Sequence, residues 1–320
     1  MANVTLYGYD VVRGWSQMHA LVGNSVQFRF ALPIEELRPL VTTYYRTDVV
    51  CSPRAPWMED WLHPEWANLR FLAGGRAQSV IGAGEPLPCP AFTVTGPTSK
   101  AMRFRIGSGR SWGIGLLPLG WARLVAGPAS DYADRFVDGA ADPLFAAFVP
   151  LAEALAVSDG DYAAELALIE EHMARMLAGA GPTDPAILAL HAALVDPDML
   201  TVADLAERLG MTVRTVERLS RRAFGFPPKL LLRRHRFLRS LARFMLDPSR
   251  KWLGALDCHY HDQSHFVRDF RRFMGMCPSD YARAEKPLLA AAAQARMAVV
   301  GEAMQGLHAP AGRPVPVQAA

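Results

Sequence analysis

Arg214, Arg218 and Arg221 stand at i, i+4 and i+7, and Ser264, Arg268 and Arg271 repeat that spacing farther along the chain. Such a spacing puts three side chains on one face of a helix. A guanidinium carries a permanent charge and a rigid fork of N–H donors that fits two acceptors at once, so a row of them suits a polyanion. The match between the two rows extends along the chain. Arg218 and Arg268, Arg221 and Arg271, Arg222 and Arg272, Gly225 and Gly275, and Pro228 and Pro278 are each separated by 50 residues. A unit used twice, with arginines on one helical face and a Gly-x-x-Pro ending, reads as a docking device in two copies. Its natural target is DNA.

Charge points the same way. Residues 201–283 hold 17 Lys and Arg against 8 Asp and Glu, whereas the remainder holds 17 against 23. A net charge of only +3 therefore hides a basic module on an acidic body, the footprint of polyanion binding.

The elements that must position these arginines are legible. Thr201 and Asp204 have the spacing of a capping box, and Leu205, Ala206 and Leu209 form an inner stripe before the turn residue Gly210. A second helix is expected from about Val213 to Ala223, with Val216 and Leu219 inside. Helix, short glycine turn and helix with a basic outer stripe is the helix-turn-helix pattern. The second copy runs through Leu253, Ala255 and Leu256 to a helix from about Gln263 to Met274, with Phe266, Phe270 and Phe273 inside. One long helix from Pro228 to Leu246 joins the two. It would hold the recognition helices for successive turns of one major-groove face, about 34 Å apart.

These residues resemble the AraC/XylS-type transcriptional regulators. The resemblance rests on Ala203–Thr212, Arg214–Arg218 and Arg221–Lys229, and above all on Asp262-Gln263-Ser264-His265-Phe266-x-Arg268-x-Phe270-Arg271-Arg272 with Gly275-x-x-Pro278-x-x-Tyr281. It covers about 83 residues, a quarter of the chain. Upstream, Leu62–Phe71 and Gly96-Pro97-Thr98 look like the amino-terminal sensor domain of some members. By position, the resemblance implies base contacts from Arg214, Glu217 and Arg218 in the first unit and from Gln263, Ser264, Val267 and Arg268 in the second. Arginine pairs with guanine, glutamine with adenine, and glutamate accepts from cytosine. Arg221, Arg222, Arg271 and Arg272 are assigned to phosphates. The family usually has glycine before the aromatic residue of the second turn, where this chain has His259-Tyr260. A histidine forced into left-handed backbone costs energy, so a strained second unit is expected.

The rest of the chain is read as its support. Period-two alternation at Val26, Phe28 and Phe30 and at Met102, Phe104 and Ile106 marks strands. Further strands are expected at Val41–Cys51, Asn68–Leu72, Ala77–Ile81, Ala91–Thr95 and Ser111–Leu117. The fold class that follows is α+β and multidomain: a β-rich barrel or sandwich with following helices, then an all-α domain of two helix-turn-helix units joined by a long helix. The domains are a β-rich sensor-like domain (1–126), a helical connector available for dimerisation (127–197), the DNA-binding domain (198–284) and an Ala/Pro-rich tail (285–320), helical at first near Leu288–Val300 but largely disordered. Tyr162, Leu166, Ile169, Met173 and Met176 give the connector an amphipathic helix, equally suited to a second copy or to the β domain.

Other chemistry finds little support. Cys258, His259, His261, His265 and Cys277 match no zinc spacing, and His19 and His63 are too few for a His-rich centre, so no metal or cofactor is expected. Gly107–Gly113 lacks the order and the Gly-Lys-Ser/Thr ending of a phosphate loop and is read as a hairpin turn. No nucleophile elbow or Cys/His/Asn arrangement suggests catalysis, so no catalytic residue is assigned. The four cysteines lack paired short spacing, no apolar run spans a bilayer, and Met1–Trp15 is no secretory signal, which fits a soluble cytoplasmic protein. A bacterial-type transcription factor is expected, with duplex DNA as partner and with RNA polymerase, a small-molecule effector and a second copy as further ones. The rival classes are an enzyme with a catalytic barrel and a non-regulatory architectural DNA-binding protein.

Overall fold

A computed structural model describes residues 23–247, 252–260 and 262–310. Met1–Trp15, His19 and His261 lie outside the described residues, as do 311–320 and the side chain of Leu253.

The β domain consists of two antiparallel sheets and is not a closed barrel. One sheet has the order β1 (Ser25–Ala31), β2 (Val41–Val50), β9 (Gly109–Leu116), β4 (Ala67–Ala73), β7 (Phe92–Thr95), β10 (Phe136–Asp138). The other has the order β3 (Met58–Leu62), β8 (Met102–Ile106), β5 (Ala77–Ile81), β6 (Leu87–Pro88). All pairings are antiparallel, with β8 aligned Phe104 to Asp60 and Phe104 to Ser79. Gly107–Gly113 is not a hairpin turn, because β8 and β9 belong to different sheets. It starts as a corner between sheets, next to the β4–β5 corner. Here a Cβ on Gly75 would lie 2.3 Å from the Ser108 carbonyl, and one on Gly109 would lie 2.5 Å from that of Gly74. The two corners touch through backbone, which leaves no room for a side chain at either glycine.

A short α1 (Pro118–Gly120) and a π turn leave the sandwich, and three connector helices follow: α2 (Val149–Val157), α3 (Tyr162–Gly179) and α4 (Pro185–Val195). Asp161 and Asp184 cap α3 and α4 by accepting from Ala164 and Ala186 N–H groups. The inner side of α3 is fixed to the large sheet by a buried carboxylate. Glu165 pairs with Arg46 at 3.1 Å and Arg110 at 2.9 Å and accepts from Trp112 Nε1 at 2.7 Å.

The helical module contains α5 (Val202–Arg208), α6 (Val213–Phe224), α7 (Pro228–Leu246), α8 (Trp252–Ala255), α9 (Gln263–Met274) and α10 (Pro278–Arg283). One apolar core runs from the sandwich through α4 into α5, α6 and the start of α7. A second gathers Phe237, Leu241 and Phe244 of α7 with Phe266, Phe270, Phe273 and Tyr281. The long helix thus belongs to both cores.

The tail expected to be largely disordered is ordered in its first part. After α11 (Pro287–Val300) the chain continues through a 3-10 turn at Gln305–Leu307. The helix packs on β1 and β3, and buried Asp60 accepts from the N–H groups of Leu288 and Leu289 at 2.9 and 2.8 Å. Leu288 joins Val26, Val49 and Met58, while Ala293, Ala303 and Met304 enter the second core. An alanine-rich helix lies close enough to the sheet for backbone donors to reach Asp60, which explains a composition that otherwise suggests low complexity.

Candidate nucleic-acid interface

Both recognition helices are closed by the devices their sequences encode. In the first unit Thr201 Oγ1 accepts from Asp204 N, and Asp204 Oδ2 accepts from Thr201 N, both at 3.1 Å. Gly210 turns the chain at φ +61°, and Thr212 caps α6 by accepting from Thr215 N at 3.2 Å. In the second unit Asp262 caps α9 by accepting from His265 N at 2.6 Å. The two helices are both 12 residues long and end in left-handed glycines, Gly225 at φ +82° and Gly275 at φ +72°. Pro228 and Pro278 then occupy the first turn of α7 and α10.

The expected strain at His259 is absent. Among the described residues the only non-glycine positions with positive φ are Ala126 and Asp134. His259 lies in a turn organised by Asp257, which accepts from His259 N at 3.1 Å and bonds Nδ1 at 3.0 Å. Asp257 also receives Arg239 Nε at 2.6 Å and its own N–H donates to Ser240 Oγ at 2.8 Å. Asp257, Cys258 and His259 bring potential ligand atoms within 4.8 Å of one another. Asp257 and His259 are already bonded to each other and to α7, so the cluster is accounted for as a turn staple.

Two sets stand out among the module's arginines. Arg208, Arg233 and Arg239 pair with Asp196, Asp269 and Asp257, and Arg236 lies 3.8 Å from Asp269. Asp269 is fully buried on the inner side of α9 and also accepts from Tyr260 Oη at 3.1 Å. The pairs with Asp269 and Asp257 lock α9 and its preceding turn onto α7, and Arg208 with Asp196 ties α5 to the end of α4. The second set is Arg214, Arg218, Arg221 and Arg222 on α6 and Arg268, Arg271 and Arg272 on α9. All seven are exposed, and among the described residues none has a carboxylate partner. Glu217, Gln263 and Ser264 are exposed beside them, and Val267 is half-buried. A protein that needed these cations only for its own stability would pair some of them. Left free and in rows, they offer charge and directed donors to an outside polyanion.

Sequence reasoning missed how tightly the two ends of the chain are joined. Arg234 is fully buried, its Nη1 donates to the Thr98 carbonyl at 2.8 Å, and its guanidinium lies 4.1 Å from the centre of the Trp66 ring. Burial pulls its pKa down to about 9, which leaves it charged at neutral pH. Trp66 also meets Phe224, His191 and His235 with ring centres 5.4–5.7 Å apart. His63 Nε2 and Tyr281 Oη share a 2.8 Å hydrogen bond, and Ala101 N donates to the Phe273 carbonyl at 2.6 Å. At Gly225 a Cβ would meet Pro97 Cγ at 2.5 Å, so this glycine serves both the helix end and the approach of the β domain. Leu62–Phe71 and Gly96-Pro97-Thr98, the segments with a sensor-like sequence, form much of this joint. Thr98 and Arg234 are 136 residues apart in the chain and His63 and Tyr281 are 218 apart, beyond any local pattern.

A cavity of about 200 Å³ lies between the sheets. Phe28, Phe30, Phe104 and Ile106 supply apolar wall, so the alternation legible in β1 and β8 faces a cavity rather than solid core. Among the described residues no tryptophan lines it; Trp66, Trp112 and Trp121 are core residues. No helix of the described residues is long and apolar enough to cross a membrane.

Residues 205–284 match the model of a helix-turn-helix domain family. No curated protein matches the chain. Among solved structures, ToxT from Vibrio cholerae O395 is similar over 71% of this chain and 97% of its own, at 11% identity and a TM-score of 0.37. A 1.65 Å structure of ToxT from Vibrio cholerae is similar over 81% and 98%, at 11% identity and a TM-score of 0.39. The AraC-like transcriptional activator CuxR is similar over 68% and 87%, at 16% identity and a TM-score of 0.27. With the duplicated units, their capped recognition helices and the family match, the carboxy-terminal module is a paired helix-turn-helix domain of the AraC/XylS type, and the chain that carries it is a DNA-binding transcription regulator.

Proposed function

We propose that this regulator reads an operator through α6 and α9 and that a small molecule in the β sandwich sets its activity. Arg214, Glu217, Arg218, Gln263, Ser264, Val267 and Arg268 are the base-facing residues of this reading, and Arg221, Arg222, Arg271 and Arg272 its phosphate contacts. The observation that carries it is the contrast between Arg233 and Arg239, paired with aspartates on the inner side, and the seven arginines on the two outer rows, which are exposed and have no carboxylate partner among the described residues.

The effector part rests on the cavity and on the joint around Trp66 and Arg234. A ligand changes DNA binding only if it prefers one arrangement of the two domains. A joint built of buried hydrogen bonds and close ring contacts gives such a preference a route to the recognition helices. A second copy of the chain and RNA polymerase are further partners in this reading, and the cytoplasm is its compartment. Glu165, Ile169, His172 and Met173 of α3 are buried against the protein, which leaves its outer row, with Leu168 38% exposed, for a second copy.

Hydroxyl-radical footprinting of the full chain on a selected duplex tests the DNA part. Two protected patches one helical turn apart on the same face are expected, the first weakened by Arg218→Ala and the second by Arg268→Ala. A single patch, or equal loss at both patches from either change, would refute paired reading.

A further inference from the structure

The small sheet turns a charged face outwards. On β8, Met102, Phe104 and Ile106 line the cavity, so Arg103 and Arg105, two residues apart, lie on the other side. Helix α11 meets this sheet from the inner side, through Asp60, the cross-strand partner of Phe104. Between Gly74 and Gly107 the chain carries Arg76, Lys100, Arg103 and Arg105 against Glu85 alone, although the residues outside the basic module are acidic on balance. Arg76, Lys100 and Arg103 are exposed, and Arg105 is half-buried. Glu59 stands opposite Arg105 in the strand register and Glu85 borders the same groove. Among the described residues neither carboxylate forms an ion pair with these cations.

The guanidiniums are held in place. Arg76 and Arg105 lie 4.4 and 5.0 Å from the centre of the Trp57 ring, and Arg105 Nε donates to Gln78 Oε1 at 2.7 Å. Arg103 Nη2 donates to the Gly84 carbonyl at 3.4 Å. A guanidinium lying over a ring keeps in-plane N–H donors for an outside acceptor and loses little freedom on meeting one. This face also starts where the second recognition helix stops. Ala101 N donates to the carbonyl of Phe273 in the last turn of α9. Lys100 adjoins that bond on the sheet side and Arg272 adjoins it on the helix side, so the cations of α9 continue onto the sheet. His63, just beyond β3, is bonded to Tyr281 of α10 and fixes the same end of the sheet to the second unit. From Ala101 to Ile106 the strand covers about 17 Å, the length of about five phosphates along one DNA strand.

We propose that the outer face of the small sheet is a third contact with the duplex, in which Lys100, Arg103 and Arg105 bind backbone phosphates flanking the segment read by α9. The proposal rests on the operator reading above and extends it to the β domain. Charge selects the occupant: the face is cationic, and it adjoins a helix whose own exposed cations are assigned to DNA. The contact is with phosphates, which fix register without reading sequence. The β domain thus grips DNA directly, and the joint around Trp66 and Arg234 sets the angle between the flank and the recognition helices.

The test is fluorescence anisotropy of the full chain on two selected duplexes. One ends at the block whose recognition is lost with Arg268→Ala, and the other extends beyond that block by about ten base pairs. The extended duplex is expected to bind more tightly. The ratio of the two affinities should fall about 40-fold between about 50 and about 200 mM salt, from three phosphates at a slope of about −0.9 each. Lys100→Gln combined with Arg103→Gln should cut that fall to about 3.5-fold. The same variant should bind the shorter duplex as the parent does, which also shows that it folds. A ratio indifferent to salt, a ratio unchanged in the variant, or an equal gain from extending the other end would overturn the proposal and leave paired reading by α6 and α9 standing. Capture of poly-glutamate by the parent but not the variant, with DNA binding indifferent to the flank, would reassign the face to an acidic protein. Equal binding of selected and scrambled duplexes would remove the operator reading and this proposal together.

Discussion

Arg222→Ala separates positioning contacts from reading contacts on one helix. Arg222 is exposed, has no acidic partner among the described residues and lies in the last turn of α6, so its removal leaves no buried charge behind and should not disturb the fold. Four arginines, Arg221, Arg222, Arg271 and Arg272, are assigned to phosphates, and each releases counterions worth a slope of about −0.9 in log affinity against log salt. Together they give a slope of about −3.6, so that raising salt from about 50 to about 200 mM weakens binding roughly 150-fold. Without Arg222 the slope becomes about −2.7 and the same change weakens binding roughly 40-fold. Arg218→Ala should instead leave the slope near its original value and lose about 1–3 kcal/mol of discrimination at particular base pairs. Fluorescence anisotropy over a salt series, with a specific and a scrambled duplex, reads both quantities. Equal slopes for Arg222→Ala and the parent, or a reduced slope with unchanged discrimination for Arg218→Ala, would refute the sorting.

Three further outcomes follow from the packing. Burial lowers the pKa of His63 and His191 to about 3 and of His308 to about 4, so each resists protonation when folded but accepts a proton near 6.5 when unfolded. Their contribution is full above pH 6.5 and is lost as pH falls, by about 2 kcal/mol each at pH 5. Asp60, raised to about 6, has the opposite sign and restores about 1.4 kcal/mol between pH 7 and 5. Urea unfolding should therefore show a net loss of a few kcal/mol at pH 5, and equal or greater stability there would contradict the burial argument. Glu165→Ala leaves Arg110 without a carboxylate and Arg46 with Asp48 alone, and should cost about 3 kcal/mol, seen as a lower unfolding midpoint. His259→Gly should destabilise by about 1 kcal/mol by adding chain entropy and removing the bond to Asp257. A gain in stability would restore the strained turn that the sequence suggested.

What the sequence revealed depended on distance along the chain. Thr201 with Asp204, Thr212 and Asp262, and the glycines at 225 and 275 act within a few residues, so helix boundaries in the module were legible. The phenylalanines at 266, 270 and 273 keep helical period and are buried. Strand β3 escaped because Asp60, its inward residue, is charged, and its partners are backbone N–H groups 228 and 229 residues away. The cavity escaped because alternating Phe28 and Phe30 look the same whether they face packed core or open space. Arg234 and Arg296 could not be distinguished from surface arginines by composition. Only the fold brings Trp66 and Thr98 to the first and Thr43 and His308 to the second. His259 misled because the family pattern supplied glycine, whereas Asp257 stabilises an ordinary turn at that place.

The most direct measurement is selection of duplexes from a random library by the purified full chain near physiological salt. Two short sequence blocks about one helical turn apart are expected, with the first block lost for Arg218→Ala and the second for Arg268→Ala. Recovery of no motif, or of a single block indifferent to both changes, would contradict paired recognition of DNA by α6 and α9.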